Sequence, residues 1–222
     1  MIVGDSKPLE EILEMIEDKD KVLVLGCRGC VTVCNVGGEK EVGILATALR
    51  IARKKAGRAP DISEMTLERQ CDPEYVEELN EVVGGYDAII SIACGVGPQF
   101  VSERYPTATV FPGINTTFIG GALEHGVWSE RCQSCGNCLV HHFGGLCPIA
   151  RCSKSLMNGP CGGSANKKCE ISPEVDCVWH LIVEKMAAMG RLDELERVWP
   201  VKNWITSRDG GPRRRVREDL KQ

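Results

Sequence analysis

Thirteen of the 222 residues are cysteines, and most of them stand at spacings typical of metal ligands. The first group comprises Cys27, Cys30 and Cys34, and Cys71 and Cys94 follow singly. The second group holds eight cysteines within 46 residues: Cys132, Cys135, Cys138, Cys147, Cys152, Cys161, Cys169 and Cys177. Because thiolates two or three residues apart can converge on one centre, the pattern predicts one or two [4Fe–4S] clusters together with zinc.

Composition limits the classes of function that the chain can have. The net charge is −4, which argues against nucleic-acid binding, and no apolar run approaches the ~18–20 residues of a membrane span. The first residues lack a basic-then-apolar signal pattern, so we expect a cytoplasmic protein whose thiols stay reduced rather than paired. The arginine-rich residues 209–222 are interpreted as a solvated basic tail, with docking to an acidic partner surface as the alternative.

Residues 1–114 carry the alternating pattern of an α/β domain. Apolar runs at 21–26, 61–69, 87–93 and 109–111 predict strands, and helices are expected over 6–18, from 37–38 to 55, over 72–83 and over 98–105. Strands that alternate with helices favour a parallel sheet covered on both faces, as in Rossmann-like and flavodoxin-like domains.

Three cysteines come directly after predicted strands of this domain. Because the carboxyl ends of parallel strands share one edge, we expect Cys27, Cys71 and Cys94 to lie near each other. Cys27, Cys30 and Cys34 with Cys94 form our favoured [4Fe–4S] ligand set, and Cys71 is the competing fourth ligand. A thioredoxin-like redox pair at Cys27 and Cys30 is the alternative interpretation.

Residues 115–208 are interpreted as a cysteine-rich domain stapled by metal and followed by a helix near residues 178–189. Cys132, Cys135 and Cys138 match the first three ligands of a bacterial ferredoxin run. The remaining five complete this cluster and build a further site, for which all-thiolate zinc is expected: Cys147, Cys152, Cys161, Cys169 and Cys177. Two structural zinc ions in this domain remain the alternative.

Six motifs together resemble one family across about residues 20–195. They are GCRGCVTVC at 26–34, ERQC at 68–71, ACGVGPQ at 93–99, ERCQSCGNC at 130–138, GGLCP at 144–148 and KSLMNGPCGG at 154–163. The chain resembles the small iron–sulfur subunit (MetV type) of the two-subunit methylenetetrahydrofolate reductases of acetogenic and related anaerobes.

The resemblance implies an electron-relay role in folate-linked one-carbon metabolism. In that family a flavin-bearing (β/α)8-barrel subunit reduces the methylene group, and the small subunit passes electrons toward the flavin through its clusters. We therefore expect a non-catalytic, cytoplasmic subunit of a heteromeric oxidoreductase that takes part in acetogenesis, with flavin only in the partner. Its electron donor is expected to be ferredoxin or a donor complex. The alternative is a zinc-stapled, non-redox adaptor that docks the reductase to another complex.

Overall fold

The computed structural model describes residues 1–221, which divide into two compact units at residues 129 and 130. The strands are β1 (Ile2–Ser6), β2 (Val22–Cys27), β3 (Ile62–Leu67), β4 (Ala88–Ser91), β5 (Val110–Pro112), β6 (Ile114–Glu124) and β7 (Val127–Cys132). The α-helices are α1 (Leu9–Met15), α2 (Cys30–Val33), α3 (Glu39–Lys55), α4 (Pro73–Val76), α5 (Val96–Arg104), α6 (Pro148–Arg151) and α7 (Val178–Ala188).

Four strands of the first unit form a parallel sheet in the order β3–β2–β4–β5, as the sequence predicts. All six residues of β2 are buried, because this central strand is covered on both faces. On one face α1 and α3 pack through Ile12, Ile16 and Leu49. On the other face α4 and α5 contribute Val76 and Val101. Both faces are therefore closed, and the carboxyl edge of the sheet is left for chemistry.

A second, antiparallel sheet in the order β1–β6–β7 was not expected from the sequence. Residues 2–6 pair with residues 114–119, and the hairpin of β6 and β7 groups with the first unit up to residue 129. The sequence predicted a helix from residue 6 and no strands between residues 115 and 132, whereas residue 6 ends β1 and residues 114–124 and 127–132 form strands. These strands are half exposed and their pairing joins distant parts of the chain, so they carry little local signal.

Several predicted helices are shorter than the sequence suggested. The chain from 72 to 83 forms only α4, a short 3₁₀ turn at Glu77–Leu79 and another at Val83–Gly85. Asp72 caps α4, since its carboxylate accepts a hydrogen bond from the Glu74 amide. At the chain start, Pro8 separates β1 from α1 and thereby delays the first helix to residue 9.

Two polar side chains join β2 to its neighbours at the amino end of the sheet. The buried guanidinium of Arg53 donates to the carbonyls of Ile16, Lys19 and Asp20, which follow α1. The Asp87 carboxylate accepts from the amides of Asp20 and Lys21, and these bonds hold the pKa of Asp87 below its usual value. Both contacts fix the entry into β2.

The second unit is organised around α7 and contains less regular structure. Its apolar cluster includes Phe143, Trp179, Ile182 and Met186, and Trp199 and Trp204 pack against it. These two tryptophans therefore hold the chain that follows α7 against the second unit. A short 3₁₀ helix also forms after α7, at Leu192–Glu196. No helix within residues 1–221 is long and apolar enough to cross a membrane.

Candidate metal centres

Four cysteines of the first unit come together at the carboxyl edge of the parallel sheet. Cys27 is the last residue of β2, Cys30 is the first of α2, and Cys94 follows β4. Cys71 lies shortly after β3. The pKa of Cys71 is raised by partial burial and then by the like charge of the thiolates of Cys27, Cys94 and Cys30, so the four sulfurs act on each other. We call these four residues the edge set.

Cys34 is placed differently from the edge set. Its side chain is buried, and its sulfur lies 3.7 Å from the carbonyl oxygen of Val31 and 4.0 Å from that of Ile2. Burial raises the pKa of Cys34, and Cys30 is the nearest thiol that contributes. The pKa of Cys71 is thus influenced by three neighbouring thiols, whereas Cys30 is the one thiol that influences the pKa of Cys34.

A buried amide network ties together the chain segments that carry the edge set. Gln70, which is fully buried, donates from Nε2 to the carbonyls of Leu25 and Gly26 at 3.0 and 2.9 Å. Its Oε1 accepts from Ser91 Oγ at 2.7 Å, and Ser91 Oγ accepts from the Ala93 amide. Because the network links the end of β2 to the residues before Cys71 and Cys94, it fixes the spacing of the thiols.

At two positions of this edge, Gly37 and Gly97, close packing leaves room only for glycine. A Cβ at Gly37 would stand 1.9 Å from the carbonyl oxygen of Ile92, and one at Gly97 would stand 2.5 Å from Ala93 Cβ. The Gly37 carbonyl accepts the Cys27 amide at 2.8 Å. The long helices α3 and α5 begin near this edge, and their amino ends favour negative charge there.

In the second unit, Cys132 is the last residue of β7, Cys135 and Cys138 lie in the loop that follows, and Cys147 lies just before α6. The sulfurs of Cys132 and Cys147 accept hydrogen bonds from the amides of Ser134 and Ala150 at 3.3 and 3.4 Å. Cys135 and Cys147 pack against the same apolar cluster. We call these four cysteines the loop set.

Positive charge gathers beside the loop set. The pKa of Arg151 is lowered by burial and then by the nearby guanidinium of Arg131, whereas Asp176 and the Cys147 thiolate act in the opposite direction. Two like charges are costly to hold together, and an anionic centre ligated by the loop set would offset that repulsion.

The remaining four cysteines line one small cavity of about 20 Å³, and we call them the cavity set: Cys152, Cys161, Cys169 and Cys177. Glu170 and Lys154 lie at its margin. A Glu170 carboxylate oxygen is 3.5 Å from the Cys161 sulfur, and the Lys154 ammonium donates to the same carboxylate. A cavity of this size holds one atom-sized species, since about 10–15 Å³ accommodates a water. The donor set and the space fit a single zinc ion.

All thirteen cysteines are free thiols in the structure. Within residues 1–221 no three cysteine, histidine or acidic side chains close on one point tightly enough to hold a metal ion. Twelve of the thirteen cysteines are divided here among the edge, loop and cavity sets, with Cys34 outside them, and none of the three sets forms a coordination shell among the described residues.

Sequence reasoning missed the polar residues that support these groups. Gln70 stands beside Cys71 at a strand end, which is the only signal that could have singled it out. Lys154 is exposed, and it is bonded to Glu170 beside the cavity set. Lys202 carried no signal at all, and it proves to be buried.

One comparison with known proteins gives a match. Residues 111–205, less than half of the chain, match the family model described as methylene-tetrahydrofolate reductase C terminal. This segment includes the loop set and the cavity set. The match supports a relation to methylene-tetrahydrofolate reductases and hence to folate-linked one-carbon metabolism. No curated protein and no solved structure matches the chain.

Proposed function

We propose that this chain is an electron-transfer subunit of a methylenetetrahydrofolate reductase, in which [4Fe–4S] clusters at the edge set and the loop set relay electrons. The proposal rests mainly on one observation. Three cysteines of the edge set lie at or just after the ends of strands, the fourth begins a short helix, and all four influence the pKa of Cys71 or are Cys71 itself. A redox pair needs two thiols, whereas four thiols at one edge match the ligand count of a cluster. The family match supplies the link to folate chemistry.

The chain's own residues have three tasks in this proposal. The thiolates hold the clusters, which supply one-electron transfer when bound. Gln70 and Ser91 keep the edge set at fixed spacing. The cavity set holds zinc, which carries no redox chemistry and stabilises a unit that has a single small apolar cluster.

The partner in this proposal is a flavin-bearing (β/α)8-barrel subunit that carries out the carbon chemistry. Residues 1–221 form a four-stranded parallel sheet and a three-stranded antiparallel sheet, and neither is such a barrel. Electrons enter from ferredoxin or a donor complex. We place the protein in the cytoplasm, and its thirteen free thiols support a reducing compartment.

A zinc-only adaptor is the second candidate, and the small size of the cavity beside the cavity set favours it locally. In this alternative the loop set also holds zinc, and the chain docks the reductase to another complex without redox change. The two functions differ in the metal that the edge and loop sets retain.

Metal analysis separates the two candidates. The full chain is purified without oxygen, and iron, acid-labile sulfide and zinc are measured, followed by an electron paramagnetic resonance spectrum after dithionite reduction. We expect about eight irons, about eight sulfides and about one zinc per chain, with a reduced-cluster signal. Zinc without iron would refute the relay and support the adaptor.

A pair of serine variants tests the ligands at the sheet edge. Cys71→Ser is expected to remove about four irons per chain, since it removes one corner of the edge set. Cys34→Ser is the matched control and is expected to keep both clusters, because its sulfur faces main-chain carbonyls. The opposite outcome, with iron lost from Cys34→Ser alone, would restore Cys34 as a ligand and exclude Cys71.

A further inference from the structure

Lys202 is a buried cation without a partner. Only 8% of its surface is exposed, and Nζ is one of two buried side-chain nitrogens and oxygens within residues 1–221 that lack a hydrogen bond, the other being Trp128 Nε1. The ammonium lies 5.5 Å from the centroid of the Trp204 ring, which offers only a weak cation–π attraction. An ammonium is among the most costly groups to bury unpaired, so the site calls for an anion.

The segment that carries Lys202 packs directly on the loop of Cys132, Cys135 and Cys138. Thr206 Oγ1 donates to the Cys135 carbonyl at 2.8 Å, and a Cβ at Gly136 would stand 2.2 Å from the Thr206 carbonyl oxygen. Arg213 reaches across from the same side and donates to the Ser134 carbonyl at 2.7 Å. The chain around Lys202 is therefore fastened to the backbone that presents the loop set.

The apolar surroundings of Lys202 are also those of the loop set. Trp204, whose ring lies beside the ammonium, packs against the same apolar cluster as Cys135 and Cys147. Cys135 and Cys147 are partly buried at this cluster, so a charge beside them acts more strongly there than it would in water. A thiolate-bound [4Fe–4S] cluster is anionic in both redox states and becomes more negative on reduction.

We propose that Lys202 is the buried counterion of the cluster held by the loop set and that it raises the reduction potential of that cluster. This inference rests on the proposed electron-transfer function. Lys202 acts through charge and touches no reacting atom, so it is a positioning residue. Its ammonium offsets the extra negative charge of the reduced cluster, and Arg131 and Arg151 add positive charge near the same set.

Two substitutions separate charge from packing. Lys202→Met keeps most of the side-chain volume and removes the charge, whereas Lys202→Arg keeps the charge. Lys221→Met is the control, since Lys221 is exposed and bonded to Glu218. Reduction potentials are measured on the full chain, purified without oxygen, by titration monitored with electron paramagnetic resonance. The loop-set signal is identified as the one that Cys138→Ser loses and Cys71→Ser keeps.

We expect Lys202→Met to lower the equilibrium constant for reduction of the loop-set cluster about tenfold. For a one-electron couple this is a fall of about 59 mV in the reduction potential. Lys202→Arg should restore most of the potential, and Lys221→Met should leave it unchanged. Thermal unfolding adds a readout that needs no redox centre. Lys202→Met should unfold at a lower temperature than wild type when loaded, and at an equal or higher temperature after metal is removed by chelation.

The possible outcomes distinguish a failure of this inference from a failure of the proposed electron-transfer function. If wild type contains iron but Lys202→Met has the wild-type potential, the counterion role is refuted and the relay stands. If Lys202→Met lowers the unfolding temperature equally with and without metal, Lys202 serves packing alone. If wild type binds no iron at all, the proposed function fails and this inference fails with it.

Discussion

Replacing Gln70 with leucine tests whether a buried amide holds the edge set together. Leucine is close to glutamine in size, so the change removes hydrogen bonds without opening a large cavity. It deletes two donors to the carbonyls of Leu25 and Gly26 and one acceptor for Ser91 Oγ. These three bonds join the end of β2 to the end of β4.

The free-energy cost of Gln70→Leu can be estimated from the hydrogen bonds that each former partner of Gln70 keeps. The Leu25 carbonyl still accepts the Ile92 amide at 2.9 Å, so its loss is small. The Gly26 carbonyl loses the amide donor, and the Ser91 hydroxyl loses its acceptor inside a fully buried site. At about 1–3 kcal/mol for each of these two groups, Gln70→Leu should cost about 2–6 kcal/mol.

Amide hydrogen exchange of the full metal-free chain measures this cost locally, because β2 and β4 belong to the first unit and exchange through its opening. Exchange in both strands should accelerate in Gln70→Leu. Gln99→Leu is the control, since Gln99 is exposed, and it should change the opening free energy by less than about 0.5 kcal/mol. Iron analysis of the loaded protein should show loss of the edge-set cluster in Gln70→Leu alone.

A double-mutant cycle with Ser91→Ala decides whether the network is the cause. Ser91→Ala leaves the Gln70 carbonyl oxygen without its donor, and the double variant removes both partners. We therefore expect the double variant to cost at least about 1 kcal/mol less than the sum of the single variants. Additive costs, or a Gln70→Leu cost below about 1 kcal/mol, would refute the reasoning.

Three further predictions concern the first unit and are all measured on the full chain by thermal unfolding. Gly37→Ala should destabilise the protein by about 1–3 kcal/mol or more, because its Cβ would overlap a carbonyl oxygen. Gly84→Ala is the control and should have little effect, since its Cβ meets nothing within 4 Å. Equal unfolding midpoints for the two variants would contradict this prediction. Arg53→Met should cost about 2–4 kcal/mol because three carbonyls lose a charged donor, and a cost below about 1 kcal/mol would show that water replaces it. The depressed pKa of Asp87 means that its stabilisation is present above the unfolded value of about 3.9 and is lost as pH falls through the folded value. Asp87→Asn should therefore lower the midpoint at pH 7 and converge with wild type in acid, and a pH-independent difference would count against it.

The parallel sheet could be predicted from the sequence because its signals are local. The apolar run before Cys27 and the one before Cys94 each read as a buried strand, and their parallel pairing follows from the helices between them. The meeting of the cysteines at one edge then follows from topology alone. Topology does not decide whether Cys94 or Cys71 is the fourth ligand, since both follow strands that end at this edge.

Contacts between distant residues could not be predicted in the same way. The β6 strand contains Thr116, Thr117, Gly120 and Gly121, which interrupt the alternation that marks a strand. Its structure depends on pairing with β1, more than 100 residues earlier in the chain. Lys202 is buried although lysine is usually exposed, because the segment around it is fastened to the cysteine loop.

The pairing of β1 with β6 has a consequence for how the protein is made. All four thiols of the edge set have been synthesised once residue 94 is added, but the strand that pairs with residues 2–6 ends its register at residue 119. At an elongation rate of about 5–20 residues per second, the nascent chain waits about 1–5 s with its ligands present and its first strand unpaired. During this interval oxidation competes with metal insertion, so the yield of correctly loaded protein should depend on the oxygen level and on the speed of translation.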